Sequence, residues 1–254
     1  REPPRRAPLV LVLAAVPALA LAACTPAPPG VDIWDPQEAQ NREAHAINRR
    51  LDAAVPGGAG GDGVGVPRPV ARGVANFAAN AGQPSNILNS VLQGRPDPAI
   101  RNTLRFMLNT TVGIGGLFDV AGALGIEGRW TDFGETLHVW GLPEGAYQEL
   151  PVIGPSTERD SVGFVVDLLI DPLNALRPPG TRNRVLAARH GSRALALLGE
   201  RADYSEALDA LIGQSADSYV QTRLLYLQSR RFRLDGTAAL EQDVFDPYDD
   251  LYDD

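Results

Sequence analysis

TVGIGGLFDVAGALG, residues Thr111 to Gly125, is apolar along its length yet broken by glycines at 113, 115, 116, 122 and 125, and it decides what kind of fold this chain builds. A helix that crosses a bilayer needs about 20 consecutive apolar residues. This run is too short and too often interrupted to span, but it is long enough for a bent helix or a re-entrant hairpin. Glycines at this spacing let backbones pack closely, because no Cβ stands between them. The neighbouring stretches must therefore be short elements that meet around it.

Upstream of this run the periodicity is helical. Pro96 restarts a helix with Ile100, Leu104, Met107 and Leu108 on one face. Before it, one helix runs from Pro69 through Asn80 and another from Pro84 to about Gln93, separated at Gly82. Further back, Asp35 supplies an N-cap, Pro36 the first helical position and Glu38 an acid suited to the helix dipole, which predicts a helix to about Ala54. Gly57 to Val66 stops it with six glycines. No Lys-Ser/Thr follows, so the segment reads as a flexible loop and not as a phosphate cradle.

Downstream, residues 129–154 carry Gly, Pro and aromatic punctuation (Trp130, Phe133, Trp140, Tyr147) and read as an ordered loop region with room for short extended pieces. A helix from about Ser156 to Ile170 is capped by Ser156 or Thr157, has Glu158 and Asp160 in its first turn and ends at Pro172. It is apolar almost all round, so it is either buried in protein or wetted by lipid. Arg182 to Leu198 and roughly Tyr204 to Arg231 are two further amphipathic helices, and Asp243 to Asp254, with six aspartates, reads as a disordered acidic tail. A calcium loop there would want spaced ligands, a Gly turn and a Glu, which are missing.

The N-terminus sets the address. Arg1, Arg5 and Arg6 form a positive n-region, Leu9 to Ala22 an apolar h-region, and Ala22-Ala23 places small residues before Cys24, the only cysteine. This is the pattern of a bacterial lipoprotein signal peptide over residues 1–23, with Cys24 as the lipid attachment point and the Pro-rich residues 24–34 as a tether. Three acyl chains, at about 0.8 kcal/mol per CH₂, make such an anchor effectively permanent. Thr25 is not the Asp that commonly retains such proteins at the inner membrane, which favours the outer membrane. With one cysteine no internal disulfide can form.

Removing residues 1–23, which carry three Arg and one Glu, takes the net charge from −8 to −10, which argues against a nucleic-acid partner. All 23 basic residues are Arg. No Gly-x-Ser-x-Gly elbow is present, and His45, His138 and His190 lie far apart without metal-ligand spacing. Ser156 reads as a cap. The chain is accordingly read as a non-enzyme with no metal and no cofactor beyond the lipid on Cys24.

Several ordered motifs resemble the MlaA/VacJ lipoprotein family. They are Asp35-Pro36 with Glu38 and Asn41-Arg42; Gly73-Val74-Ala75-Asn76-Phe77 with Asn80, Pro84, Asn86 and Asn89; Leu92-Gln93-Gly94; and Arg105-Phe106 leading into Asn109-Thr110-Thr111-Val112-Gly113 and Gly115 to Asp119. Asp132 to Leu137, Trp140-Gly141 and the block Leu150 to Thr157 with Arg159-Asp160 complete the match, over about residues 32 to 231. Three features depart from the family: the Gly-rich segment 57–66 stands where relatives have an amphipathic stretch, Glu135 where Gln is usual, and His138 where a small residue is usual.

The resemblance implies a mainly α fold with little or no β, a ring-like assembly of short amphipathic helices at 35–232 lying in the outer membrane, followed by an acidic tail at 233–254. It implies retrograde phospholipid transport through an amphipathic channel, with a trimeric porin, a periplasmic phospholipid-carrier protein and an inner-membrane ATP-driven complex as partners. The alternative is a porin-binding outer-membrane scaffold that moves no lipid. A lipid channel needs a polar lane for headgroups, and the candidates are Asn76, Asn80, Asn86, Asn89, Asn109, Thr110, Asp119 and Arg105. Asn76 and Asn80 share a helix face, as do Asn86 and Asn89. Capping and interhelical hydrogen bonds are the competing reading of these asparagines, and a helix C-terminal turn that of Asn109-Thr110-Thr111. Asp119 and Asp167 in apolar surroundings each need a cap, an Arg such as Arg105 or Arg159, or an aqueous lane. Trp34, Trp130, Phe133, Trp140 and Tyr147 mark either a headgroup level or a core.

Overall fold

The computed structural model describes residues 26–54, 68–171 and 215–241. The elements are α1 (Glu38–Ala54), α2 (Arg68–Leu92), α3 (Pro96–Thr111), α4 (Val120–Ala123), α5 (Phe133–Val139), β1 (Tyr147–Leu150), β2 (Gly154–Thr157), α6 (Glu158–Ile170) and α7 (Ser218–Glu241). The fold is mainly α, as the sequence implies, with one two-stranded antiparallel sheet pairing Tyr147 with Thr157 and Leu150 with Gly154. Among the described residues no helix is long and apolar enough to cross a membrane. The signal peptide, Cys24, the 57–66 loop, the Arg182–Leu198 helix, the first part of the one after it and the Asp243–Asp254 tail lie outside the described residues.

Four expectations are corrected. First, α2 is one helix and passes through Gly82 and Pro84 without a break. A proline inside a helix removes a backbone hydrogen bond and costs about 3 kcal/mol. Tertiary contacts on both sides outweigh that cost: Asn80 bonds the α3 region, and Asn89 bonds α5 and α6. Second, the Leu150–Thr157 stretch is a hairpin, so Ser156 lies in β2 and the cap of α6 is Thr157, whose Oγ1 accepts from the Asp160 N–H.

Third, Asp35 does not cap α1, which starts at Glu38. Its carboxylate instead accepts from Asn41 Nδ2, the Tyr219 hydroxyl and Arg223 Nη1, and so ties the chain before α1 to α7. Fourth, the last helix does not end at about Arg231; α7 runs on to Glu241.

Local chemistry starts the other elements. Asp132 caps α5 by accepting from Glu135 N–H, and Asp119 caps α4 by accepting from Gly122 N–H. Glycines set the closest approaches. A Cβ on Gly163 of α6 would stand 2.3 Å from Gly134 N of α5, and one on Gly116 (φ +97°) would stand 2.5 Å from Asn80 Cβ. Among the described residues the apolar core is in two parts. Phe133, Leu137, Leu142 and Val166 pack between α5 and α6, and Tyr147, Tyr219 and Leu227 pack between the hairpin and α7.

Polar clamps join these parts. Arg230, 5% exposed, holds both Asp132 oxygens at 2.7 and 2.8 Å and both Asp160 oxygens at 2.9 Å, linking α7 to the starts of α5 and α6. The Asn41 side chain donates to Tyr147 O and accepts from Glu149 N–H, pairing α1 with β1 as a strand would.

Candidate functional site

Two helices, α2 and α3, are polar inside and apolar outside. α3 buries Asn102 and Asn109 while Ile100, Leu104 and Met107, its apolar face, are exposed by 60%, 45% and 57%. α2 buries Asn80, Gln83, Asn86, Asn89 and Ser90, with Gln93 buried just past its end, and exposes Val91. The 112–118 turn exposes Val112, Ile114, Leu117 and Phe118, and α6 exposes Phe164, Val165, Leu168 and Leu169. Of the two environments open to α6, protein core and lipid, the described residues supply the first on the side of Arg159, Val162, Gly163, Val166 and Ile170.

The buried polar groups form a seam between α2, α3, α5 and α6. Asn76 Nδ2 donates to Leu117 O at 3.1 Å, and Asn80 Nδ2 to Thr110 Oγ1 at 3.0 Å. Asn89, fully buried, donates to Asp167 at 2.8 Å and accepts from Thr136 Oγ1 at 2.9 Å. Asn109 donates to Asp119 at 2.9 Å and accepts from Ala121 N–H. Arg105 Nη2 meets both Asp119 oxygens at 3.0 Å. Burial pushes the Asp119 carboxyl up, but the bonds from Asn109, Gly122 N–H and Arg105 outweigh it and leave the group below the usual carboxylate range. Among the described residues Asp167 takes no arginine; Asn89, Phe133 N–H and Ser85 donate to it, and burial holds its pKa above the ordinary value.

One part of the seam opens. A cavity of about 400 Å³ between α2, α3 and the 127–130 loop is lined by Ala79, Gln83, Asn86, Arg105, Glu127, Gly128, Arg129 and Trp130. Among the described residues, Gln83 Oε1, Arg105 Nε and Asn80 Oδ1 have no hydrogen-bond partner. Of the eight candidate lane residues, Asn86 and Arg105 reach this cavity. Asn80 with Thr110, and Asn109 with Asp119, stand behind its wall as pairs, while Asn76 and Asn89 are interhelical pins.

Sequence reasoning missed Gln83 and Arg129. Gln83 sits three residues from both Asn80 and Asn86, so a continuous α2 would have placed it in the same stripe. Arg129 is tied to Glu135 at 2.7 Å, and Arg95 holds the same oxygen at 2.6 Å, so the Glu at a usual Gln position anchors two arginines near the cavity. Phe133 and Tyr147 prove to be core, whereas Trp130 and Trp140 are about half exposed. Among the described residues no group of three or more His, Cys, Asp or Glu could hold a metal.

Fold and site define a class: a mainly helical body with a hydrogen-bonded polar interior, an apolar exterior and a polar cavity. The chain belongs to the MlaA lipoprotein family, whose sequence model matches residues 33–233. It is 34% identical over 174 residues to the intermembrane phospholipid transport system lipoprotein MlaA of Shigella flexneri, covering 67% of this chain and 66% of that protein. The Escherichia coli protein of the same name gives the same identity and coverage, and that of Haemophilus influenzae 30% over 182 residues, 69% of this chain and 68% of the relative. A solved structure described as the structural basis for maintenance of bacterial outer membrane lipid asymmetry superposes with a TM-score of 0.62 at 29% identity, over 79% of this chain and 98% of that one.

Proposed function

We propose that this chain is an outer-membrane lipoprotein, anchored through Cys24 and facing the periplasm, that removes mislocalised phospholipids from the outer leaflet and so maintains lipid asymmetry. The observation that carries the reading is the inverted polarity of α2 and α3. A helix in water buries its apolar stripe; these bury amides and expose Val91, Ile100, Leu104 and Met107, and α6 adds exposed Phe164, Leu168 and Leu169 opposite its packed Val166, the arrangement suited to a hydrocarbon surround. The relatives' role in intermembrane phospholipid transport, and the structural neighbour's in lipid asymmetry, support the same assignment.

In this reading the cavity is part of the polar lane. Arg105 and Arg129 offer charge to a phosphate, and Asn86 and Gln83 offer amides, while Trp130 lies against the acyl-chain side. The unpartnered Gln83 and Arg105 atoms are groups that a passing headgroup or its water would satisfy. Asn76, Asn80, Asn89, Asn109, Thr110 and Asp119 hold the lane's walls. Directional flow comes from partners: a trimeric porin that seats the body, and a periplasmic phospholipid-carrier protein that receives the lipid.

The test is the phospholipid content of the outer leaflet of intact cells in wild type, a deletion strain, Cys24→Ala and Arg105→Gln with Arg129→Gln. Surface phospholipid is expected to rise in the deletion and in both variants, without loss of any lyso-lipid. No rise in the deletion would overturn transport and leave a scaffold. A lyso-lipid that disappears with the gene would mean an enzyme.

A further inference from the structure

A second cavity, of about 330 Å³, opens where α5, the 141–144 turn, the start of α6 and α7 meet, away from the α2–α3 seam. Its lining includes His138, Leu142, Glu144, Arg159, Arg231 and Asp235. Arg159 is 2% exposed, and among the described residues its Nε and Nη2 have no hydrogen-bond partner. The third nitrogen, Nη1, is only 3.4 Å from His138 Nδ1. The nearest carboxylate is its neighbour Asp160, at 3.5 Å from Nε, and Asp160 already receives Arg230 through both oxygens and the Tyr226 hydroxyl. A buried guanidinium with five donors and so little to bond is a costly group unless an oxyanion completes it.

The other side of the cavity has the opposite character. Arg231 is neutralised by Glu144 through two bonds of 2.9 and 3.1 Å, which leaves the exposed Asp235 as a carboxylate facing the mouth. Oxyanion receptors on one wall and a carboxylate on the other suit a zwitterion: a phosphodiester toward Arg159 and His138, an ammonium toward Asp235.

We propose that this cavity is a second ligand site, for an oxyanion of the phosphate class, and that its shape of charge fits a zwitterionic phosphodiester such as an ethanolamine headgroup. The oxyanion chemistry stands on the geometry alone; the headgroup as its source rests on the transport reading. His138 gives the reporter. Burial, then the charge of Arg159, and further off Arg230, hold its pKa below the ordinary value against the pull of Asp235 and Glu135, so an arriving anion must raise it.

The experiment titrates inorganic phosphate, glycerophosphoethanolamine and glycerophosphoglycerol into the full lipidated chain in detergent, with carbon-13 histidine read by NMR and the His138 signal assigned by His138→Gln. Expected is a saturable His138 shift and a raised His138 pKa with glycerophosphoethanolamine, with weaker effects of the other two probes. Arg159→Gln is expected to weaken binding at least about tenfold. Asp235→Asn, an exposed change that leaves the fold intact, is expected to abolish the preference for ethanolamine and spare the response to phosphate. No saturable response to any probe, or an undiminished one in Arg159→Gln, would overturn the site. Equal responses to all three would overturn the headgroup as its ligand. Wild-type cells that keep their surface free of phospholipid while His138 stays silent would sink this site and leave transport standing.

Discussion

Asp119 and Asp167 are two carboxylates in similar apolar sequence that the structure treats in opposite ways. Asp119 gains Arg105, Asn109 and a backbone N–H, and its folded pKa is depressed. Its contribution to stability is therefore present above the unfolded carboxylate range and lost as pH falls through the folded value. Arg105→Gln is expected to cost about 1–2 kcal/mol near neutral pH, allowing for the partial exposure of Asp119, and to cost less in acid, which urea unfolding at pH 7 and pH 3 would read. Asp167 is raised, by burial above all. Its contribution is present below the unfolded value and lost as pH rises through the folded one, so Asp167→Asn is expected to lose the gain in stability that this carboxyl gives wild type on acidification from pH 7 toward pH 4. An equal pH profile in the two proteins would refute that. The sequence marks both aspartates as needing partners, but which partner each one finds depends on residues 14 and 34 positions away, brought together only by folding.

At the scale of elements, the α5–α6 contact rests on Gly134 and Gly163, with backbone meeting backbone. Gly163→Ala would drive a methyl to 2.3 Å from Gly134 N, and neither side can yield as a flexible side chain would. The expected cost is about 2–3 kcal/mol, read as a lowered denaturant midpoint, whereas Gly236→Ala, with open space around it, should cost almost nothing. The hairpin gives the converse. Val152 has φ +72°, a conformation that β-branched residues adopt only under strain, and its side chain is 80% exposed. Val152→Gly should therefore raise stability by about 1 kcal/mol. Helix starts were legible where a local cap decides them, as at Thr157. The join of the two halves of α2 was not, because Pro84 and Gly82 argue locally for a break and only the distant partners of Asn80 and Asn89 argue against it.

For the molecule as a whole, stability and placement come from different sets of residues. The interior is held by polar clamps such as Arg230; Arg230→Ala leaves Asp132 and Asp160 near each other with only the more distant Arg159 beside Asp160, and is expected to cost about 3–5 kcal/mol. The exterior answers to the surround. With Cys24 replaced by Ser and residues 1–23 removed, the body should still partition into phospholipid vesicles, and Leu104→Asp with Phe164→Asp should weaken that partition at least about tenfold, since an acidic residue at bilayer depth costs roughly 2.5–3.5 kcal/mol. Unchanged partition would mean that these faces do not meet lipid.

By itself the sequence determined that the chain is mainly helical, though not that α2 runs unbroken over 25 residues. It also carried the family, because period, caps, glycine spacing and ordered motifs are local properties of the chain. Only the tertiary structure decided which way each amphipathic helix faces. A stripe of Ile100, Leu104 and Met107 reads the same whether it turns toward a core or away from one, and its direction is set by the hydrogen bonds that Asn102, Asn109 and the α2 amides make with residues far along the chain.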